Sequence, residues 1–266
     1  MGASEPSQQQ EEAVDRNLEG RVCVITGASS GIGEATARAL GAAGARVALL
    51  ARREERIRAL AAELNAATPD GQALAIACPA DVTDMGALRR AADEIRDRLG
   101  RVDCLINNAG VMLNSPFQAG LVDEWRRMVD TNLFGVLQTT HVFLADLRNG
   151  GGDIVNTSSV AGRKTRAVSS VYSATKHAVT AWSEGLRQEL IPDDVRVICV
   201  EPGVVDTELP EHITHPATRQ ATDDMYHRSM EPLASEDIAS LIAYAVSRPE
   251  RVSINEVLIR PSDQEF

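Results

Sequence analysis

Residues 22–33 read Val-Cys-Val-Ile-Thr-Gly-Ala-Ser-Ser-Gly-Ile-Gly, an apolar run that leads into a turn rich in glycine. Such a run is typical of a parallel strand buried on both faces, and residues 34–40 that follow are typical of a helix. Glycines between a strand and a helix let the backbone turn tightly and approach a ligand closely. The free N–H groups at the helix start can then bind a pyrophosphate. We therefore predict a nucleotide-binding turn that contains Gly27, Ser29, Ser30, Gly31, Ile32 and Gly33.

Strands and helices alternate along the rest of the chain. We predict strands near 21–26, 45–51, 73–78, 102–106, 152–157, 195–200 and 254–259. We predict helices near 31–43, 53–66, 84–99, 121–148, 170–191 and 235–247. This rhythm predicts an α/β fold, a Rossmann-type doubly wound parallel sheet of about seven strands with helices on both faces, in three layers. Residues 18–266 should form one domain, and residues 1–17, rich in Ser, Gln and Glu, a disordered tail.

Several residues with functional side chains or loop geometry come directly after predicted strands. They are Ser29, Arg52, Asp81, Asn108, Ser159 and Pro202. Ligands of open parallel sheets bind beyond the carboxyl ends of the strands. The sequence therefore predicts that these residues meet at one edge of the sheet and form a single site.

Tyr172 and Lys176 lie four residues apart in a predicted helix, and Ser159 lies thirteen residues before Tyr172. Four residues bring two side chains onto one helix face. A phenol normally loses its proton near pH ~10, and a neighbouring cation lowers that pKa. A tyrosine adjusted in this way can give or take a proton while a carbonyl is reduced or an alcohol oxidised. A bare Tyr-x-x-x-Lys can also be two surface residues that meet by chance.

Two more motifs follow strands in a matching order: Asn107-Asn108-Ala109-Gly110, and 201–207, which reads Glu-Pro-Gly-Val-Val-Asp-Thr. With the glycine-rich turn and Tyr-x-x-x-Lys, they resemble the short-chain dehydrogenase/reductase family from about residue 21 to the C-terminus. The resemblance implies that four residues are catalytic: Asn132, Ser159, Tyr172 and Lys176. It implies cofactor contacts from Gly27, Ser29, Ser30, Gly31, Ile32, Gly33, Arg52, Arg53, Asp81, Val82, Asn108, Ala109, Gly110, Tyr172, Lys176, Pro202, Gly203, Val205 and Thr207.

The same resemblance implies a role for each catalytic residue in the reductive direction. Tyr172 would donate a proton to the substrate oxygen and Ser159 would hold that oxygen. Lys176 would lower the pKa of Tyr172 and bind the nicotinamide ribose. Asn132 would anchor a water that links Lys176 to solvent.

The end of the second strand indicates which nicotinamide cofactor is used. Ala51 stands where an enzyme that prefers NAD places an acidic residue for the ribose hydroxyls. Arg52 and Arg53 follow, and guanidinium groups suit a 2′-phosphate. The sequence therefore predicts NADP(H). The alternative is that the two arginines only begin a helix.

Residues 207–230 interrupt the strand–helix rhythm, and we predict a substrate lid there, with a solvated surface excursion as the alternative. His212 and His215 have a spacing that occurs in metal sites, but no cysteine joins them. No metal is expected, because Tyr172 and Ser159 can polarise a carbonyl without a Lewis acid. A carbonyl or alcohol of small size is the expected substrate.

Composition makes other partners unlikely. The net charge of −11 and an aromatic content of 3% argue against a nucleic-acid-binding protein, and no apolar run reaches the ~18–20 residues that span a membrane. The four cysteines, all in or at the end of predicted strands, are Cys23, Cys78, Cys104 and Cys199. They are typical of buried thiols in a cytoplasmic protein.

These observations predict an NADP(H)-dependent oxidoreductase that interconverts a carbonyl and an alcohol. The rival class is an inactive NADP(H)-binding sensor or scaffold. Residues 206–218 and 259–264 further resemble the clavulanate dehydrogenase-like reductases of bacterial secondary metabolism, which implies antibiotic biosynthesis. By resemblance we expect a homotetramer. Leu186 and Leu190 are candidates for an apolar seam between subunits, and the alternative is that this stripe faces only its own sheet.

Overall fold

A computed structural model describes residues 18–66, 75–228 and 230–265. The tail predicted at 1–17 lies outside the described residues, and so do the first two residues of the strand predicted at 73–78. Within the described part of the chain, no helix combines the length and apolar character needed to cross a bilayer.

One sheet of seven parallel strands forms the centre of the domain, in the order β3-β2-β1-β4-β5-β6-β7. The strands are β1 (Val22–Thr26), β2 (Arg46–Ala51), β3 (Ala75–Pro79), β4 (Cys104–Asn107), β5 (Gly152–Thr157), β6 (Val195–Pro202) and β7 (Glu256–Ile259). The doubly wound sheet predicted from the sequence is therefore confirmed. The strand order reverses beside β1, which places the glycine-rich turn and the motif after β4 next to each other.

Eight α-helices connect and cover the described strands. They are α1 (Gly31–Ala42), α2 (Glu54–Ala66), α3 (Met85–Arg98), α4 (Val122–Val129), α5 (Gly135–Arg148), α6 (Ser170–Leu190), α7 (Pro216–Arg228) and α8 (Ser235–Val246). The long helix predicted at 121–148 is interrupted, because Asp130–Phe134 forms a π-helical segment between α4 and α5. Helix α7 was not predicted, and it lies inside the proposed lid.

Alternate residues of each strand pack on opposite faces, which explains the continuous apolar runs in the sequence. Cys23 and Ile25 of β1 join the core formed with α1, α2 and α8. Val22 and Val24 join the core formed with α3, α5 and α6. Helices therefore exclude water from both faces of β1 at the centre of the sheet.

The prediction that Leu186 and Leu190 of α6 line a seam between subunits is wrong. Leu186 is 8% exposed and Leu190 is 4% exposed within the single chain. Both pack in the core between α6 and the sheet. The four-residue spacing therefore marks the side of α6 that faces its own sheet.

A buried carboxylate ties three strand regions together at the amino ends of β1, β5 and β6. Asp153 is 1% exposed. Arg21 donates to its Oδ2 at 2.7 Å, and Arg196 donates to Oδ1 at 2.6 Å and to Oδ2 at 3.0 Å. Two guanidinium groups thus compensate one buried negative charge, at the edge of the sheet opposite to the candidate site.

Candidate active site

A cavity of about 1160 Å³ lies at the carboxyl ends of the strands. Its walls contain nearly all the site residues predicted from sequence; Gly33 and Asn132 are the exceptions. The convergence predicted for the residues that follow the strands is thereby observed. It arises because all seven strands are parallel, so that their following loops emerge at one edge.

The glycine-rich turn approaches other backbone too closely for larger residues. Gly27 has φ +67°, and a Cβ there would lie 2.9 Å from Cα of Ala109. A Cβ on Gly33 would lie 2.4 Å from the carbonyl oxygen of Gly27. Gly33 therefore packs the start of α1 against the turn and does not line the cavity, in contrast to the contact predicted for it.

Thr26, which the sequence reasoning did not single out, joins this turn to the Asn-Asn-Ala-Gly motif. Its buried hydroxyl accepts hydrogen bonds from the backbone N–H groups of Asn108 at 2.9 Å and of Ala109 at 3.0 Å. The side chain of Asn108 donates back to the carbonyl of Thr26 at 3.2 Å. The only sequence signal was the position of Thr26 at the strand end, directly before the glycines.

Arg53 makes direct contact with the glycine-rich turn. Its Nε donates to Oγ of Ser29 at 3.0 Å, and its Nη2 donates to Oγ of Ser30 at 2.5 Å. Arg52 instead lies 3.8 Å from Asp81 on the neighbouring loop. Both arginines and Ala51 line the cavity, so two guanidinium groups lie at the end of β2.

Asn132 acts inside the protein and does not reach the cavity wall. It is 1% exposed in the π-helical segment. Its Oδ1 accepts from the N–H of Val111 at 2.8 Å, and its Nδ2 donates to the carbonyl of Val111 at 2.9 Å and to Thr175 at 3.2 Å. Asn132 therefore fixes the backbone after the Asn-Asn-Ala-Gly motif to α6, which carries Tyr172 and Lys176.

Ser159, Tyr172 and Lys176 line one part of the cavity together. The ammonium of Lys176 donates to the carbonyl of Thr157 at 2.7 Å and lies 5.9 Å from the ring centroid of Tyr172. Burial raises the pKa of Tyr172 to about 12, against the opposing effect of a hydrogen bond with Ser159. Burial lowers the pKa of Lys176 to about 8.

The raised pKa of Tyr172 differs from the lowered pKa expected from its neighbour Lys176. The phenol is 7% exposed, so removing its proton would bury a negative charge. The ammonium is directed at the carbonyl of Thr157. In the protein without cofactor, Tyr172 therefore keeps its proton at neutral pH, which is the state that a proton donor requires.

The loop after β6 is held by the C-terminal segment. Gln264, 6% exposed, accepts from the N–H of Val204 at 2.9 Å, and the N–H of Gly203 donates to the carbonyl of Ile259 at 2.7 Å. Gln264 also lines the cavity, although no motif spacing pointed to it. The loop from Pro202 is thereby positioned by residues some sixty positions further along the chain.

The segment proposed as a lid covers one side of the cavity with α7. Its lining residues are Thr207, Glu208, Leu209, His212, His215, Ala217, Thr218, Ala221, Thr222, Met225 and Tyr226. The Nδ1 of His215 accepts from the N–H of Thr218 at 3.3 Å, and Pro216 is the first residue of α7. His215 therefore caps a helix, and Pro216 was the sequence signal for its start. Residue 229 lies outside the described residues.

Residues 21–217 match the model of the family described as short chain dehydrogenase. The chain belongs to this family. It is 39% identical over 251 residues to an uncharacterised oxidoreductase of Staphylococcus saprophyticus, covering 93% of this chain and 98% of the relative. It is 38% identical over 245 residues to the serine 3-dehydrogenase of Agrobacterium fabrum, covering 91% and 94% of the two chains.

The fold is also similar to those of solved short-chain dehydrogenases. The closed form of a serine dehydrogenase complexed with NADP+ has a TM-score of 0.83 and 29% identity, with 92% of this chain and 96% of that chain covered. The protein is thus an oxidoreductase of the short-chain dehydrogenase family.

Proposed function

We propose that this short-chain dehydrogenase uses NADP(H) to interconvert a carbonyl and an alcohol. The observation that carries the proposal is one continuous cavity with Ser159, Tyr172 and Lys176 in one part and Arg52 and Arg53 in another. The NADP+ held by the similar serine dehydrogenase supports the choice of cofactor. The residues present fit such a group, because no side chain caps the start of α1, where N–H groups can bind a pyrophosphate, and two arginines line the cavity at the end of β2, where a 2′-phosphate is expected.

In the reductive direction, the glycine-rich turn and the arginines after β2 would hold NADPH, which would supply a hydride for the carbonyl carbon. Tyr172 donates its proton to the carbonyl oxygen, which becomes the hydroxyl of the product. Ser159 holds that oxygen by a hydrogen bond. Lys176, fixed by Thr157, places a cation beside the tyrosinate that remains and favours its formation. Asn132 positions α6 and the adjoining backbone rather than the substrate; its predicted link to a water stays a prediction.

The wall of the cavity carries more cationic than anionic side chains. Lys164 and Arg166 line it in addition to Arg52, Arg53 and Lys176, whereas the lining carboxylates are Asp81 and Glu208, which lie near the arginines at the end of β2. We propose that small hydroxy acids are suitable substrates, as the name of the serine 3-dehydrogenase relative also suggests. The narrower likeness to clavulanate dehydrogenase-like reductases, with a role in antibiotic biosynthesis, stays a prediction, so aldehydes belong on the same panel.

Turnover on a panel of substrates tests the proposed function. Absorbance of NADPH would be followed with aldehydes, ketones and 3-oxo acids, and formation of NADPH with L-serine and other 3-hydroxy acids. We expect turnover of at least one class. Binding of NADPH without turnover of any compound would favour the rival sensor or scaffold, which would retain the cofactor site alone.

Cofactor choice should depend on the end of β2. Ala51→Asp together with Arg52→Ala adds an acceptor for ribose hydroxyls and removes a positive charge near the 2′-phosphate. Losing one charge-assisted contact costs ~1.5–3 kcal/mol. We therefore expect kcat/KM for NADPH relative to NADH to fall at least tenfold in steady-state kinetics. Arg58→Ala, which changes an exposed arginine paired with Glu54 on the same helix, is the control and should leave the ratio unchanged. A wild type that already prefers NADH would contradict the prediction.

We propose that the active form is a homotetramer. The single chain exposes Phe134 beside α5 and Leu258 on the edge strand β7. Edge strands with exposed apolar residues are commonly covered by another chain. We expect light scattering at micromolar concentration to give the mass of four chains, and Leu258→Asp to reduce that mass. A wild type that scatters as a monomer would reject the proposal.

A further inference from the structure

Glu208 connects the lid to the arginines at the end of β2. It follows Thr207 of the cofactor loop and directly precedes Leu209–His212, the first turn of the lid. Its Oε2 accepts from Nη1 of Arg53 at 2.6 Å, and its Oε1 accepts from Nη1 of Arg56 at 2.6 Å. Each carboxylate oxygen is thus bound by a different guanidinium group on or beside α2.

Arg53 cannot serve Glu208 and a phosphate equally well. Its Nε and one N–H of Nη2 donate to Ser29 and Ser30 of the glycine-rich turn, and its Nη1 donates to Glu208. A 2′-phosphate bound between the turn and the end of β2 would draw on the same guanidinium group, since carboxylate and phosphate groups both accept hydrogen bonds from guanidinium groups.

Thr207, the residue directly before Glu208, lies close to the glycine-rich turn. A Cβ on Gly31 would lie 3.0 Å from Cγ2 of Thr207. The two arginines hold the pKa of Glu208 at about 2, so its carboxylate stays negative throughout the physiological pH range. A negative charge is therefore carried permanently by the segment that covers the substrate, at the place where the cofactor's own extra negative charge is expected.

We propose that Glu208 is a specificity-determining latch: it holds Arg53 in the free protein, competes with the 2′-phosphate for that arginine, and moves with the lid when the phosphate binds. This inference rests on the proposed use of NADP(H). Binding of NADP(H) would then loosen the ion pairs of Glu208, whereas NAD(H), which lacks the phosphate, would leave the latch in place. The lid would respond to the identity of the cofactor before any substrate arrives.

Binding of two nucleotide fragments tests the competition without any turnover. Dissociation constants of 2′,5′-ADP and 5′-AMP would be measured by calorimetry for the wild type, Glu208→Gln and Glu211→Gln. Exposed ion pairs are individually weak, so we expect Glu208→Gln to bind 2′,5′-ADP about three- to tenfold more tightly. Its affinity for 5′-AMP should change less than twofold. Glu211→Gln removes an equal charge three residues further on and should change neither affinity by more than twofold.

The outcomes separate the latch from the cofactor proposal. A wild type that binds 2′,5′-ADP no better than 5′-AMP overturns the use of NADP(H) and the latch together. A wild type that prefers 2′,5′-ADP while Glu208→Gln binds it equally or more weakly overturns the latch alone. In the latter case Glu208 would be orienting Arg53 for the phosphate.

Trp125 offers a measurement of the lid itself. It packs in a small apolar cluster with Leu209 and Ile213 of the lid and stacks on Phe117 at 4.6 Å between ring centroids. In a Trp182→Phe background, where Trp125 is the only tryptophan, 2′,5′-ADP should change the emission and 5′-AMP should not. Equal changes with both fragments would overturn the coupling to the lid. The calorimetric test remains decisive for the competition if this background does not fold.

Discussion

Replacing Tyr172 by Phe should lower kcat by ~10²–10⁴-fold, the usual contribution of a general acid. The substitution removes one hydroxyl and keeps the ring, which packs in a buried cluster with Val111 and Met112. Because burial holds the pKa of the phenol at about 12, this hydroxyl is a proton donor at neutral pH. Its loss leaves the carbonyl oxygen without a proton source at that position.

Steady-state rates and a fluorescence titration with NADPH would be measured on the same preparation. The variant should bind NADPH with an affinity close to that of the wild type, because the predicted phosphate contacts are untouched. Tyr244→Phe makes the same chemical change at an exposed side chain of α8 and should keep the wild-type rate. A Tyr172→Phe protein with near-normal kcat would remove Tyr172 from the proposed mechanism.

Asp153→Ala should lower the free energy of unfolding by ~3–5 kcal/mol, the cost of removing one partner from a buried ion pair. The change leaves Arg196, whose side chain is 12% exposed, and Arg21 beside it without their shared carboxylate. Two like charges then remain close together in a poorly hydrated place. The loss is a large part of the ~5–15 kcal/mol that stabilises a typical domain.

Urea denaturation followed by circular dichroism would measure this change. Glu94→Ala is the matched control, because it breaks an exposed pair with Arg98 on α3. Such pairs contribute ~0.3–0.5 kcal/mol. A loss for Asp153→Ala that is no larger than the control's would mean that the carboxylate is not important for stability.

The alternation of strands and helices along the chain was predictable because it depends on patterns within short segments. Apolar runs such as 195–200 need water excluded from both faces, and only helix-covered parallel sheets provide that for so many strands. The lid helix α7 was missed because its sequence is mostly polar and has only a weak amphipathic pattern at helical spacing. Pro216, its first residue, was therefore its main signal. The break at Asp130–Phe134 was missed because π-helical segments have no propensity signature of their own.

Some features of the candidate site could likewise be predicted from the sequence, whereas others depend on the tertiary structure. By itself the sequence determined the fold, the edge of the sheet that carries the site, and the spacing that brings Tyr172 and Lys176 onto one helix face, since these depend on local periodicity. Only the tertiary structure decided that Arg53 rather than Arg52 contacts the glycine-rich turn, and that Glu208 of the lid binds Arg53. It also decided that the pKa of Tyr172 is raised by burial. The ion pair of Arg53 and Glu208 joins residues 155 positions apart, and no local pattern along the chain records which distant side chain will fill a given space.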